Sequence, residues 1–214
     1  SGIPIGRYAA FRSPSEASAS FGRLSAAWGL PLFVKPSAQG SSVGVSRAST
    51  EAEYHTAVNH AFEFDDVVLV EEAIAGREIE CAILGNDEPV ASLCGEIIPK
   101  GGFYSYENKY LNEDGALFEK PAKLSEQAMK AVQDLSIKVY QSLECAGLAR
   151  VDVFVKADGS VLVNEINTLP GFTSISMYPQ LFELSGVKTP ELIDRLVHLA
   201  RDRFRRRALK KVDR

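Results

Sequence analysis

The stretch "VLVNEINTLPG", residues 161–171, begins as a β-strand and then departs from the pattern of one. Side chains of a strand alternate between two faces, so Val161 and Val163 are expected to share a face with Glu165 and Asn167. A strand that buries valines would therefore carry a carboxylate and an amide on its buried side. This combination predicts that the end of the strand has a role other than packing.

The preceding strand, "LARVDVFVK" at residues 148–156, completes a hairpin with this stretch. Between the two strands lies Asp158-Gly159, a dipeptide favoured in two-residue hairpin turns. Such a turn pairs Ala157 with Ser160 and carries that register along both strands. Two directly opposed pairs are then predicted on one face, namely Asp152 with Glu165 and Arg150 with Asn167.

Two carboxylates directly opposite each other repel, and they are costly near an apolar surface. They could share one proton, Arg150 could neutralise one of them with no further function, or a divalent cation could lie between them. Asn167 favours the cation, because carboxylate and amide oxygens suit Mg²⁺ or Mn²⁺. Mg²⁺ held by few protein groups uses substrate phosphates as its other ligands. The hairpin therefore predicts a nucleotide site, with a structural ion-pair cluster as the alternative.

A loop of small residues, "SAQGSSVG" at 37–44, follows Lys35 at the end of a predicted strand. Small residues let backbone N–H groups approach phosphate oxygens closely, and serines add hydroxyl donors. The loop has neither P-loop spacing nor a GxGxxG order, so an ordinary flexible connection is an equal alternative for the loop alone. Together with the metal-type hairpin and Glu71 at another strand end, it predicts that Lys35 binds nucleotide phosphates.

Composition argues against several classes of partner. The net charge is −4, which gives no general attraction for nucleic acid, and we interpret the basic stretch 201–214 as the solvated end of a helix. No apolar run approaches the roughly 18 residues of a membrane helix. The three cysteines form an odd set without close pairing, as is typical of reduced thiols. We therefore expect a cytoplasmic protein that binds small molecules, with neither nucleic acid nor membrane as a partner.

The predicted elements indicate an α+β chain of two lobes, residues 1–71 and 72–214. Their order is helix, strand, helix, strand, followed by mostly antiparallel strands with one helix before the last hairpin. The first helix is predicted to end at Trp28, and Gly147 is predicted to close the helix that starts at Ser125. A cleft between two lobes is a usual place for a ligand.

Five segments resemble the D-alanine–D-alanine ligases of bacterial cell-wall synthesis, members of the ATP-grasp superfamily: "FVKPSAQGSSVGVS", "VLVEEAIAGREIECAILG", "ENKYLNEDG", "GLARVDVFV" and "VNEINTLPGFTSISMYP". The resemblance runs from Ser1 to about Arg195. It implies an α+β ATP-grasp fold with the nucleotide site in the cleft between the lobes. It also implies that ATP drives the ligation of two D-alanines to D-alanyl-D-alanine through an acyl phosphate, for peptidoglycan precursor synthesis.

The resemblance further implies a set of residues for each ligand. For ATP the set is Lys35, Ser41, Ser42, Glu71, Ala73, Ile74, Glu78 and Lys109. For two Mg²⁺ or Mn²⁺ ions it is Asp152, Glu165 and Asn167. The oxyanion that develops during attack would be stabilised by Arg150 and the backbone N–H of Gly171. The carboxylate of the second D-alanine would be held by Ser176, with Met177 beside it.

A segment with no predicted helix or strand, residues 99–120, is expected to be a lid. By resemblance, Lys109 would reach the transferring phosphate. Tyr110 would hydrogen-bond Ser41 and close the site against water. Tyrosine in the lid also points to D-alanine as the second substrate, because relatives that make a D-lactate ester commonly have histidine there.

The family also has an N-terminal domain, which positions the first D-alanine and commonly builds a homodimer. Nothing in these 214 residues matches it, so we expect a fragment or processed chain that keeps the ATP and metal ligands and lacks much of the first D-alanine site. Two alternatives stay open. One is another ATP-grasp carboxylate–amine ligase with a different acceptor, and the other is a nucleotide-binding module without catalysis.

Overall fold

The computed structural model describes residues 2–40, 42–99 and 116–210 of the chain. The predictions for Ser41, Lys109 and Tyr110, and for most of the lid, lie outside these residues. Contacts divide the chain into two compact units. The first contains Gly6–Ala75 and the described residues of Pro99–Leu117, and the second contains the described residues of Ser1–Ile5, Gly76–Ile98 and Phe118–Arg214.

Both units combine helices with an antiparallel sheet, so the predicted α+β class is confirmed. The change from the first unit to the second falls after Ala75, beyond the boundary predicted at residue 71, and Ser1–Ile5 belongs to the second unit. The division into two functional lobes, 1–71 and 72–214, stays a prediction.

The first unit contains four strands and three helices among its described residues: β1 (Tyr8–Phe11), α1 (Pro14–Ala19), α2 (Phe21–Trp28), β2 (Leu32–Pro36), β3 (Ser46–Ala48), α3 (Glu51–Phe62) and β4 (Val68–Glu72). The sheet has the strand order β1-β4-β2-β3. One face is buried against the helices and includes Val34 and Val70. Lys35 and Glu71, next to them in sequence, are half-buried on the opposite face, because strand side chains alternate.

The first predicted helix is two helices, so the prediction of one helix to Trp28 is wrong. Helix α1 begins as expected, because the Ser13 hydroxyl accepts the N–H of Glu16 at 3.4 Å. The break comes at Ser20, whose hydroxyl donates to the carbonyl oxygen of Ala17 at 2.7 Å. The Tyr54 hydroxyl donates to the same oxygen at 3.0 Å. Side-chain hydroxyls thus compete for a carbonyl of the helical ladder, and the helix restarts after Ser20.

Apart from Pro99, Ala116 and Leu117, the second unit contains a five-stranded sheet and three helices in the part that the structure describes: β5 (Gly76–Gly85), β6 (Val90–Pro99), β7 (Ala116–Glu119), α4 (Glu126–Ser142), β8 (Gly147–Lys156), β9 (Val161–Asn167), α5 (Met177–Leu184) and α6 (Thr189–Ala208). The strand order is β7-β6-β5-β8-β9. Strand β7 lies inside the predicted lid segment 99–120. The prediction of no regular structure there is therefore wrong for residues 116–119.

The sheet of the second unit buries both of its faces. Ile79 and Val151 share one face with the buried residues of α4, including Tyr140. Ala82 and Leu84 share the other face with residues of α5 and α6. By alternation, this second face also carries a polar group next to the apolar one: Glu78 and Glu80 of β5, and Arg150 and Asp152 of β8.

The helices of the second unit begin where the sequence predicts, but α4 ends earlier. The Ser125 hydroxyl accepts the N–H of Ala128 at 3.2 Å and starts α4. The helix ends at Ser142, Glu144 has a φ of 52°, and Gly147 is the first residue of β8. The prediction that Gly147 closes α4 is therefore wrong. Among the described residues, the helices are all too short or too polar to cross a membrane.

The β8–β9 hairpin turns through three residues, and the predicted two-residue turn is wrong. Lys156, not Ala157, pairs with Ser160, and its N–H donates to the Ser160 carbonyl at 2.9 Å. The N–H of Gly159 donates to the Lys156 carbonyl at 2.9 Å, and Gly159 has a φ of 81°. A type I turn followed by a glycine in the left-handed region is the usual form of a three-residue hairpin loop.

A β-bulge then restores the predicted pairing at the polar end of the hairpin. Val153 pairs with Val163, but the next pair is Asp152 with Glu165, so Asn164 is an extra residue in β9. The bulge keeps Asp152 opposite Glu165 as predicted. It also places the valines of β9 on the face opposite Glu165, which corrects the expectation that these residues share a face. The side chains of Glu165 and Asn167 therefore lie outside the apolar core into which the valines pack.

The turn yields a test with a matched control. We expect Gly159→Ala to lower the free energy of unfolding by about 1 kcal/mol, because a Cβ disfavours the left-handed region. Gly22→Ala, inside α2, should raise it by about 0.5–1 kcal/mol, because no atom lies within 4 Å of the added Cβ and alanine favours helix. Urea unfolding of both variants measures the two changes. Equal changes of the same sign would contradict the turn geometry.

Candidate functional site

Arg150 of β8 lies among acidic side chains on the polar face of the second sheet. Its Nε and one terminal nitrogen donate to the two carboxylate oxygens of Asp152, each at 2.7 Å. Its Nε is also 3.3 Å from a carboxylate oxygen of Glu80. The strand register explains this proximity, because Glu80 of β5 pairs with Asp152 and Arg150 is two residues away on the same face.

Glu165 and Asn167 of β9 complete the cluster from the other side. They pair directly with Asp152 and Arg150, as the sequence predicts. The Asn167 amide oxygen accepts the N–H of Leu169 at 3.1 Å, which fixes this side chain at the start of the following loop. Burial alone would lower the pKa of Arg150. The hydrogen bonds that Arg150 donates to Asp152, together with the charges of Asp152, Glu80 and Glu165, outweigh burial and raise its pKa.

The cluster has excess negative charge. It contains three carboxylates, those of Glu80, Asp152 and Glu165, and one guanidinium, so its formal charge is −2. The alternative in which Arg150 simply neutralises an acid is therefore realised for Asp152, and acids still outnumber basic groups among these four residues. Oxygen donors on one face with this charge suit a hard divalent cation.

The donor set for a metal ion is two carboxylates and an amide. No cluster of three or more His, Cys, Asp or Glu side chains that could hold a metal occurs in residues 2–40, 42–99 and 116–210. The carboxylates of Glu80, Asp152 and Glu165 thus do not form a metal site by themselves, and the predicted set of Asp152, Glu165 and Asn167 includes an amide. Mg²⁺ accepts such a set, because it binds few protein groups and takes its other ligands from water and phosphate.

The loop after β9 is held by hydrogen bonds to Ser176, the residue just before helix α5. The Ser176 hydroxyl accepts the N–H of Thr173 at 3.0 Å and lies 2.9 Å from the Thr173 hydroxyl. A Cβ added to Gly171 would be 2.9 Å from the Ser176 hydroxyl oxygen, so only glycine fits this approach. The Met177 side chain is buried against Gly95. Ser176 can offer its hydroxyl to a ligand, whereas Met177 can offer only its backbone.

Lys35 and Glu71 form the candidate nucleotide group of the first unit. The Lys35 ammonium is 2.8 Å from a Glu71 carboxylate oxygen, and both side chains are partly exposed. Strand alternation turns the neighbouring Glu72 to the other face, where Arg7 donates to it from its backbone N–H at 2.7 Å and from Nε at 2.8 Å. Of the two adjacent glutamates, Glu71 is therefore the one that faces Lys35. Ala73 and Ile74 follow directly after β4.

The loop after β2 is anchored at its base. The N–H of Ala38 donates to the Asp65 carboxylate at 2.6 Å, and that of Val67 donates to it at 3.1 Å. These backbone hydrogen bonds, the one from Val67 first, lower the pKa of Asp65. Ser42 has a φ of 60°, and a Cβ on Gly44 would be 2.7 Å from the Pro36 ring. The described part of the loop is thus held in a defined turn.

The predicted site residues therefore fall into two groups, each within its own unit. The first unit holds Lys35, Ser42, Glu71, Ala73 and Ile74. The second unit holds Glu78, Arg150, Asp152, Glu165, Asn167, Gly171, Ser176 and Met177. The structure brings together Lys35 with Glu71, Arg150 with the hairpin acids, and Gly171 with Ser176.

Glu80 is the member of the cluster that sequence reasoning missed. It is buried with only 4% of its surface exposed, in a strand between the apolar residues Ile79 and Cys81. A carboxylate in such a run is a signal in itself. Its partner could not be found from sequence, because β5 pairs with β8, which lies beyond β6, β7 and α4 in the chain.

A protein-family profile described as "D-ala D-ala ligase C-terminus" matches residues 1–198 of the chain. The chain belongs to this family. It is 52% identical over 205 residues to the D-alanine–D-alanine ligase of Oceanobacillus iheyensis, and 50% identical over 202 residues to D-alanine–D-alanine ligase A of Escherichia coli K12. The matches cover 96% and 94% of this chain and 56% of each relative. The chain thus spans little more than half the length of these ligases.

Solved structures of D-alanine–D-alanine ligase family members have the same fold. The structure of the D-alanine–D-alanine ligase from Coxiella burnetii superposes with a TM-score of 0.85 at 43% identity, covering 97% of this chain and 55% of that one. VanG D-Ala:D-Ser ligase from Enterococcus faecalis superposes with a TM-score of 0.83 at 36% identity, covering 92% of this chain and 57% of that one. The predicted ATP-grasp fold is confirmed.

Arginine substitutions test the charge balance of the cluster. Arg150→Met and Arg77→Met each remove the guanidinium partner of a buried glutamate, Glu80 and Glu96 respectively. Each should lower the free energy of unfolding by about 3 kcal/mol, since a buried charge is left uncompensated. Millimolar Mn²⁺ should restore stability only to Arg150→Met, because a cation can replace the guanidinium among the clustered acids. Thermal unfolding with and without Mn²⁺ measures this rescue. Equal stabilisation of both variants by Mn²⁺, or of neither, would contradict cation binding by the clustered acids.

Proposed function

We propose that the chain carries ATP- and metal-binding machinery of an ATP-dependent carboxylate–amine ligase that joins two D-alanines into D-alanyl-D-alanine for peptidoglycan synthesis. The observation that carries the proposal is the cross-strand cluster of Arg150, Asp152, Glu165 and Asn167. This cluster combines an oxygen-only ligand set with a fixed guanidinium, the two requirements of a phosphate-activated acyl transfer.

Lys35 and the following loop would hold the phosphates of ATP. An ammonium at the end of β2 would neutralise phosphate charge, and the hydroxyls of Ser41 and Ser42 would add donors, as the sequence resemblance implies. Glu71 releases the Lys35 ammonium to the nucleotide and accepts from the adenine, together with the backbone of Ala73 and Ile74. Glu78 would bind the ribose hydroxyls. The Lys35–Glu71 ion pair supports this proposal, because it keeps both side chains on one face of the sheet.

Asp152, Glu165 and Asn167 would hold two Mg²⁺ or Mn²⁺ ions. When bound, these ions would supply positive charge that neutralises the transferring phosphate. The protein fixes the positions of the ligands: Asp152 through Arg150, Asn167 through the Leu169 N–H, and Glu165 through its place after the bulge.

Arg150 and the backbone N–H of Gly171 would stabilise the oxyanion that forms when the amine of the second D-alanine attacks the acyl phosphate. A guanidinium that is already held in place needs no reorganisation as this charge develops. The Ser176 hydroxyl, positioned by Thr173, would bind the carboxylate of that D-alanine. The remaining roles, Lys109 on the phosphate and Tyr110 on Ser41 as a water-excluding lid, rest on the sequence resemblance.

The proposal extends to the cellular location, the substrates and the oligomeric state of the enzyme. We infer a cytoplasmic enzyme that takes ATP and D-alanine as its small-molecule substrates and forms a homodimer in its intact form. The likeness to VanG D-Ala:D-Ser ligase favours one second candidate, a ligase of the same chemistry with another acceptor amino acid.

The metal ligands can be tested on this chain. Glu165→Gln keeps the size of the side chain and removes one ligand charge, so the dissociation constant for Mg²⁺-ATP should rise by about tenfold or more. Glu88→Gln, an exposed glutamate at the far end of the β5–β6 hairpin, is the matched control and should bind as the parent does. Titration calorimetry measures both. An unchanged affinity in Glu165→Gln would remove the proposed ligand.

The reaction can be tested with a fusion that places the part of the Oceanobacillus ligase unmatched by this chain ahead of Ser1. With ATP, Mg²⁺ and D-alanine, phosphate release and D-alanyl-D-alanine by mass spectrometry are the expected results. D-serine offered as a competing acceptor distinguishes the second candidate. ATP binding by both the chain and the fusion, with no dipeptide from any D-amino acid, would favour a nucleotide-binding module without catalysis.

A further inference from the structure

Glu80 is a buried carboxylate beside Arg150 to which the proposed reaction gives no role. Only 5% of its side-chain surface is exposed, and its strand neighbours Ile79 and Cys81 are buried in the apolar core on the other face. Placing an ionised carboxylate in such surroundings is costly unless it has a charged partner. The Arg150 guanidinium is such a partner, with 3.3 Å between Nε and the carboxylate oxygen.

Arg150 is shared between two acids in unequal fashion. Asp152 accepts from two of its nitrogens at 2.7 Å, whereas the Glu80 carboxylate lies farther from Nε, at 3.3 Å. The ion pair between Arg77 and Glu96 in the same sheet differs, because there a single glutamate accepts from both guanidinium nitrogens. While Asp152 accepts two hydrogen bonds from the Arg150 guanidinium, Glu80 is therefore not needed to hold the Arg150 side chain in place.

The two roles of Asp152 conflict. As the bidentate partner of Arg150 it offers both carboxylate oxygens to the guanidinium. As a cation ligand it would share at least one of these oxygens with the metal, which weakens its hold on Arg150. An arginine with a weakened bidentate partner would adopt more rotamers and lose its fixed position. A second carboxylate on the same face, directly behind Asp152 in the β5–β8 register, removes this conflict.

We propose that Glu80 is a positioning residue that anchors Arg150 when Asp152 turns its carboxylate to a divalent cation. This inference rests on the proposed function for the cation and on the present geometry for the anchor. Glu80 acts through Arg150, which is the group placed against the reacting atoms. Without Glu80, Arg150 and the cation compete for Asp152, so cation binding weakens and arginine order is lost on binding.

The test compares Glu80→Gln with Glu96→Gln in the 214-residue chain. Both variants neutralise a buried, arginine-paired glutamate of the same sheet, and only one of them touches the cluster. The first readout is the Arg150 Nε–H signal in NMR spectra of ¹⁵N-labelled protein. In the parent and in Glu96→Gln the signal should persist when Mg²⁺ is added, and in Glu80→Gln it should broaden or vanish by exchange with water.

The second readout is Mn²⁺ affinity by electron paramagnetic resonance. Glu80→Gln should bind Mn²⁺ about tenfold more weakly than the parent, as is usual for the loss of an outer partner of a metal site, while Glu96→Gln binds as the parent does. If Glu80→Gln fails to fold, Glu80→Asp keeps the charge and shortens the reach toward Arg150, and the same readouts apply to it.

The outcomes separate the anchor from the proposed function. A persistent Arg150 Nε–H signal in Glu80→Gln with Mg²⁺, or equal Mn²⁺ affinity in all three proteins, overturns the anchoring role. A parent chain that binds no Mn²⁺ overturns the metal site of the proposed function. In that case the anchoring role, which needs a bound cation, falls with the metal site. Mn²⁺ binding by the parent together with a persistent Arg150 signal in Glu80→Gln overturns the anchoring role alone.

Discussion

The guanidinium of Arg150, surrounded by Asp152, Glu80 and Glu165, is the interaction on which the functional account depends. Glu80 and Asp152 are well shielded from water, with 5% and 13% of their side-chain surface exposed, whereas Glu165 is exposed. Strand pairing places these three acids around one guanidinium. A site with this imbalance is prepared for further positive charge.

The first unit also holds a charged group on one face of its sheet, but this group pairs one base with one acid. Lys35 and Glu71 balance each other on the half-buried face of their sheet, so the ammonium is held in place and partly exposed. Under the proposed function, Lys35 would bind a phosphate and the hairpin acids would bind a divalent cation. Both groups lie within the residues that the ligase family profile matches.

Sequence reasoning reached the cluster through two errors that cancel. The assumed two-residue turn set the register one residue away from the observed one, and the unforeseen bulge at Asn164 moved it back. Alternation and pairing rules are strong enough to place Asp152 opposite Glu165, but local insertions such as a bulge leave no mark in composition. The helix break at Ser20 also escapes such rules, because it depends on tertiary contacts. The same holds for the pair of Glu80 with Asp152, which joins strands that are not neighbours in sequence.

The central claim is that the polar end of the β8–β9 hairpin binds a divalent cation. The most direct measurement is paramagnetic broadening of backbone amide signals in the ¹⁵N-labelled chain as Mn²⁺ is added in substoichiometric amounts. The account predicts that the amides around Asp152 and Glu165 broaden first, while those of the exposed acids in α6 stay sharp. Broadening that starts elsewhere, or that spreads evenly over all acidic surfaces, would contradict it.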